Sequence, residues 1–303
     1  MRFAVAAAAA AALPLAANGI RIIQGNDDGW AEMNVRLVND ALNAAGHNVV
    51  LSCPADNQSG RGSLDSDPED RADACEYDSC AAGSGPSGHN ATDARLNWVN
   101  SYPVTAIRYG ISDFAPQFFD NQPPELAVTG PNVGSNLDIQ VPFSGTVGSA
   151  VYAVEQGIPA LAFSGLTSDR TAWTTSPPPL SAQVYADLAL NLTTAIIDSG
   201  APYLPADTFL NVNFGEVDAA TCNDAAKFSF VLSRINLDTP VLSTGDVETC
   251  GNESLPTERS VVKTDGCWVS VSVGNAKDKT TATADVQAVV LNKLQGLLSC
   301  LPA

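Results

Sequence analysis

Ile20-Arg21-Ile22-Ile23-Gln24-Gly25-Asn26-Asp27-Asp28-Gly29 decides how the chain is read. The first six residues are a β-branched run that reads as a strand, and the last four read as a turn. Beyond the turn, Val35, Leu37, Val38, Leu42 and Ala45 recur at the spacing of one helix face. Strand, acidic turn and helix make the first half of a βαβ unit. In an open parallel sheet, ligands bind beyond the carboxyl ends of the strands, which is where this turn belongs. Two adjacent carboxylates there repel one another and face the partial positive charge of a helix N-terminus. A hard divalent cation relieves that repulsion by taking oxygen ligands from both. The plain alternative makes Asp28 the helix cap and Asp27 a solvated turn residue.

Working outward, His47 to Cys53 reads as a second apolar strand, followed by the polar turn Asp56-Asn57-Gln58-Ser59-Gly60. Residues 62–100 turn to Gly, Ser, Asp and Pro, the composition of a long surface excursion. Ser101 and Pro103 fit the start of a helix to about Ser112, although Val104 to Tyr109 also suits a strand. Residues 125–129 read as a third strand before the turn Gly130-Pro131-Asn132-Val133-Gly134-Ser135-Asn136. Ser144-Gly145-Thr146 opens a helix that Gly157 ends, and 159–164 is a fourth strand. A helix over 181–199 and a strand over 208–214 follow. This alternation predicts an α/β, Rossmann-like, doubly wound and mostly parallel sheet. The domain organisation expected is a core over 18–215 and a C-terminal extension over 216–303, packed on the core. The extension reads as strands at 227–235 and 268–273 and a helix over 285–298.

The 303 residues suffice for a sizeable core, and 15 basic against 33 acidic side chains leave a net charge of −18. That balance excludes a nucleic-acid polymer or an anionic membrane as the main partner. Arg2 followed by the alanine-rich run to Ala17 reads as a secretory signal peptide over 1–17. No later stretch offers about eighteen unbroken apolar residues, so a secreted chain free of the membrane is expected. Seven cysteines suit an oxidising destination, and the odd count leaves one thiol over. Cys75 and Cys80 are placed for a local bridge. Cys222, Cys250, Cys267 and Cys300 supply two more in a pairing that spacing does not fix, and Cys53 is the expected buried free thiol. Asn57, Asn90, Asn191 and Asn252 begin glycosylation sequons.

Four polar turns thus follow four apolar runs, and their contents complement one another. The first two turns, Asn26 to Gly29 and Asp56 to Gly60, together with Asn132 offer carboxylate, hydroxyl and amide oxygens, a ligand set for a hard cation such as Mg²⁺ or Mn²⁺. Ser144, Gly145 and Thr146 stand at a helix start, where free N–H groups cradle a phosphate. Cation and cradle in one crevice suit phosphoryl transfer.

Asn26-Asp27-Asp28-Gly29, Asn57-Gln58-Ser59-Gly60, Thr129 to Asn136 and Ser144-Gly145-Thr146-Val147-Gly148, in this order and spacing, resemble the survival protein E (SurE) nucleotidase and phosphatase family. Gly157 to Ala160 and Asn211-Val212-Asn213-Phe214 are similar to further family segments. The leader and extra cysteines resemble its secreted fungal acid-phosphatase branch. The resemblance implies a metal-dependent phosphomonoesterase with Asp27, Asp28, Ser59 and Asn132 as metal ligands. Asp27, Asp28 and Asn132 would be catalytic, and Ser144, Gly145, Thr146 and Asn136 would bind a small phosphomonoester. Trp30 to Met33 and Pro131 depart from the family pattern without removing a ligand. The region after Phe214 matches too loosely to carry over an assembly, so a homo-oligomer stays open. Two other readings stand beside this one: a metal- or ligand-binding protein on the same fold without turnover, and a serine esterase using Ser59 or Ser144. The esterase lacks the Gly-x-Ser-x-Gly elbow around either serine, and His47 and His89 are poorly placed as its base.

Overall fold

β1 (Arg21–Gly25) is buried along its length apart from Arg21, as a central parallel strand must be. The computed structural model describes residues 19–167, 169–236 and 245–302, so the signal peptide reading falls outside the described residues. β1 pairs in parallel with β2 (Asn48–Pro54) on one side and β5 (Leu126–Val133) on the other. β4 (Leu96–Val99) extends the sheet beyond β2, with β3 (Ser87–His89) antiparallel at its edge. On the other side run β6 (Ala160–Gly165) and β7 (Thr208–Phe214), both parallel. β9 (Trp268–Asn275) then pairs antiparallel with β7, and β8 (Ser229–Ser233) lies parallel to β9. The nine described strands run in the order β3-β4-β2-β1-β5-β6-β7-β9-β8.

Helices cover both faces. α1 (Met33–Ala44), α5 (Leu180–Asp198) and α7 (Ala284–Leu294) pack Val38, Leu42, Leu188, Leu192, Val290 and Leu294 on one side. α2 (Pro103–Tyr109), α3 (Ala115–Phe118) and α4 (Gly145–Glu155) pack Ile107, Ala115, Val147 and Val151 on the other. α5 is long and apolar enough to cross a membrane by length and composition, yet half of it is buried in this core. Successive strands leave β1 in opposite directions, toward β2 and toward β5, which makes the β1/β5 boundary the topological switch point.

Two readings are revised, one short helix is added and one open alternative is settled. Gly130 to Val133 is not a turn but the end of β5, where the register against β6 shifts between Thr129 and Asn132. The excursion over 62–100 contains β3 and β4, strands too short for period-two alternation to show. α6 (Glu258–Lys263) is a single short helix that no long apolar pattern announced. Residues 103–109 are helical rather than extended, with a π turn at Gly110–Phe114 before α3. The disulfides join Cys75 to Cys80, Cys222 to Cys267 and Cys250 to Cys300, and Cys53 is a buried free thiol, as expected.

Candidate active site

The cap of α1 is not Asp28 but Glu32, whose carboxylate accepts the Asn34 N–H at 2.5 Å. Asp27 and Asp28 therefore serve something other than this helix. Asp27 reaches the start of α4, where Oδ2 accepts the Gly145 N–H at 3.1 Å and Oδ1 accepts the Thr146 hydroxyl at 2.5 Å. Asp28 faces the other way: Oδ2 accepts the Val133 N–H at 2.7 Å, and Oδ1 accepts the Ser59 hydroxyl at 3.3 Å. The Asp27 carbonyl accepts the Gln58 N–H at 2.7 Å. All four motifs meet at one carboxylate pair. Gly145 permits the approach, since a Cβ there would lie 2.8 Å from the Asp27 Cβ and 2.7 Å from Pro103.

Both carboxylates are almost wholly buried, Asp27 at 2% and Asp28 at 1% exposure. Burial pushes both carboxyls up, and for Asp28 the charge of Asp27 adds to burial and carries it well above the usual range. The Arg170 guanidinium offsets part of this, donating to the Asp28 carbonyl at 2.9 Å while pairing with Glu76 at 2.5 Å. Burial also raises Glu32, to about 7.

Among the described residues no group of three or more His, Cys, Asp or Glu side chains is arranged to hold a metal. A cation here would need neutral oxygens beside the two carboxylates. Asn132 offers one: its Nδ2 donates to the Gly134 carbonyl at 2.6 Å, and its Oδ1 is buried with no hydrogen-bond partner. An orphaned acceptor beside two buried carboxylates fits a hard cation. Asp27 and Asn132 open onto a cavity of about 650 Å³ that Ser59, Asn136 and Ser144 also line, while Asp28 lies behind its wall. Ile139 and Phe143, exposed at 82% and 67%, stand with Leu166 at its rim.

The expected phosphate cradle is rearranged. Thr146 is fully buried, and it and Gly145 already donate to Asp27, while Ser144 Oγ caps α4 by accepting the Val147 N–H at 3.1 Å. Carboxylate and helix start form one hydrogen-bonded unit instead of opposite walls. Neither imidazole reaches the cavity: His47 Nδ1 accepts the Ile20 N–H, and His89 Nδ1 bonds the neighbouring Asn90 carbonyl. A serine nucleophile thus lacks an imidazole base. Sequence reasoning missed Arg170, Glu76 and Glu258. Asn211 and Asn213 were a legible signal, since two amides on one face of a buried strand need partners.

The survival protein SurE family matches residues 22–234. The chain belongs to the SurE family. An acid phosphatase of Yarrowia lipolytica is 29% identical to it, over 93% of this chain and 86% of that protein. A 5'-nucleotidase SurE of Microcystis aeruginosa is also 29% identical, over 66% of this chain and 64% of that protein. A 5'-nucleotidase SurE of Pelobacter propionicus reaches 36% over 40% of this chain and 42% of its own length. The matches to these bacterial SurE proteins thus span under two thirds of their length. The crystal structure of a SurE protein from Aquifex aeolicus superimposes with a TM-score of 0.57 at 19% identity, over 90% of this chain and 98% of that one, and shares the fold.

Proposed function

We propose that this SurE-family chain is a secreted phosphomonoesterase that depends on a divalent cation, Mg²⁺ or Mn²⁺, and hydrolyses nucleoside monophosphates or other small phosphate monoesters. The observation that carries the reading is the buried Asp27–Asp28 pair, tied to three other motifs beside the orphaned Asn132 Oδ1. Asp27, Asp28, Ser59 and Asn132 would hold the cation. When bound, it supplies the positive charge that a transferring phosphoryl group requires. Thr146 and Gly145 aim Asp27, and Val133 aims Asp28, so neither carboxylate has to reorganise as charge develops. Asn136 and Ser144 line the cavity where the phosphate would sit, and Ile139, Phe143 and Leu166 offer an apolar surface to the organic part of the ester. Relatives named acid phosphatase and 5'-nucleotidase support this substrate class. The disulfides support an oxidising destination.

The purified protein, stripped with a chelator and reloaded with one metal at a time, should hydrolyse a panel of nucleoside monophosphates and aryl phosphates. No turnover with any metal, alongside retained metal binding, would favour a binding protein on the same fold. Phe143→Ala should raise KM for esters with an aromatic leaving group and leave glycerol phosphate unchanged.

A further inference from the structure

Asn136 is held in the cavity wall from behind. Its carbonyl accepts the Asn211 amide at 2.9 Å and the Asn213 amide at 3.1 Å, and its N–H donates to Asn213 Oδ1 at 2.8 Å. Its own amide donates to Ser164 Oγ at 2.7 Å. Asn211 and Asn213 are two apart on β7, so both point to the same face of the sheet. The Asn211 amide has a second acceptor, Glu258 Oε1, at 2.6 Å. Glu258 comes from α6, beyond the residues that match the family, and is fully buried. Its Oε2 accepts the Asp138 N–H at 3.3 Å, and the next residue, Arg259, pairs with the Asp138 carboxylate at 2.6 Å. Asp138 has a φ of 51°, a left-handed backbone that persists in a non-glycine residue only where its surroundings enforce it. One turn of helix thus grips both Asn211 and Asp138, on either side of Asn136.

We infer that Glu258 is a positioning residue for the phosphate side of the site: through Asn211 and Asp138 it fixes where Asn136 stands in the cavity. Glu258 itself touches no substrate. The inference rests on the phosphomonoesterase reading above for its kinetic arm and on inorganic phosphate for its binding arm.

The test compares the wild type with Glu258→Ala, Glu258→Gln and Asn211→Ala. KM and kcat are measured on p-nitrophenyl phosphate with Mn²⁺, and the Kd for inorganic phosphate is measured by calorimetry. Glu258→Ala and Asn211→Ala should raise KM and the phosphate Kd by about tenfold or more, as expected when a bound group loses its fixed position. The Mn²⁺ concentration for half activation should stay within about twofold, because none of the cation ligands is touched. Glu258→Gln keeps the acceptor for Asn211 but turns an amide NH₂ toward the Asp138 N–H, so its KM and phosphate Kd should fall between those of the wild type and Glu258→Ala. A purely structural role would lower the folded fraction, and with it kcat per mole of chain, while leaving KM and the phosphate Kd unchanged; that result overturns the inference. If Glu258→Ala does not fold, Asn211→Ala decides by the same two numbers. A wild type that binds phosphate but hydrolyses no ester refutes the proposed function alone, and the phosphate Kd still judges Glu258. A wild type that binds no phosphate overturns the inference itself.

Discussion

At the scale of single residues, Asp27 joins the two halves of the site, because its two oxygens are held by the start of α4. Asp27→Asn should lose at least about a hundredfold in turnover, the scale of one strong transition-state contact. Excess Mn²⁺ should restore part of it, since a weakened ligand is overcome by mass action; no recovery would assign Asp27 to the reacting atoms instead. Thr146→Val keeps the shape but removes the donor that favours ionised Asp27. It should therefore raise the Mn²⁺ concentration needed for half activation. An unchanged metal requirement with a raised KM would return Thr146 to the substrate side. The motifs pointed in the sequence to Asp27, Asp28, Ser59 and Asn132, and the fold brings these four close together. The Asp27–Thr146 bond was not legible there, because its partners lie 119 residues apart and only the closed fold brings them together. Glu258 makes a separate prediction about pH. Burial raises its carboxyl from 4.5 to about 8, so the folded state favours the protonated form. Its contribution to stability is then fully present below about 4.5 and is lost as pH rises through about 8, with a magnitude of a few kcal/mol. In chelator-treated protein the urea midpoint should fall from pH 5 to pH 9, and Glu258→Gln should flatten that slope. Equal slopes in both proteins would show that Glu258 does not titrate in this range.

At the scale of elements, the loop closed by Cys75 and Cys80 does more for the site than for the fold. It carries Glu76, which binds Arg170, which in turn donates to the Asp28 carbonyl. Chain entropy assigns the bridge of separation 5 about 2 kcal/mol, against about 4 for the bridges of separation 45 and 50. The double variant Cys75→Ser/Cys80→Ser should secrete nearly as well as the wild type, while Cys222→Ser/Cys267→Ser should not. The first variant should still lose activity, by up to about fivefold, because a half-exposed ion pair contributes at most about 1 kcal/mol. Equal secretion defects, or full activity without the Cys75 bridge, would remove this division of labour. The long elements were legible because each buries one continuous face: Val184, Leu188, Leu192 and Ile196 place α5 without tertiary information. β4 and α6 were not, being too short to show a period; tertiary contacts stabilise them instead. Trp98 and Leu96 enter a small cluster with Trp30 and Cys53, and the Glu258 N–H of α6 donates to the Arg234 carbonyl.

At the scale of the whole molecule, the chain after Phe214 completes the sheet that the site stands on. β9 pairs with the whole length of β7, and β8 pairs with β9. Val269, Val271 and Val273 join the same core as Leu210, Val212 and Phe214, together with Phe230, Leu232, Val290 and Leu294. The change from alternating strands and helices to mostly strands made this region look like an addition to the core. What the pattern did not carry was the antiparallel register of β9 on β7, a long-range pairing set by side chains on both strands. We propose that residues 18–215 and 216–303 form one cooperative unit. A chain ending at Gly215 would leave β7 as a bare apolar edge, open to pairing with other chains. Each core side chain lost from the C-terminal part contributes about 1.5–3 kcal/mol on burial, and together they match the roughly 5–15 kcal/mol that holds a domain folded. The truncated chain would also lack Glu258 and Arg259, and with them the grip on Asn211 and Asp138. It should therefore be recovered as aggregate, or as a soluble form without a cooperative urea transition. A soluble 18–215 fragment with a single sharp transition, and with Mn²⁺-dependent phosphatase activity, would show instead that the C-terminal part is dispensable to both fold and site.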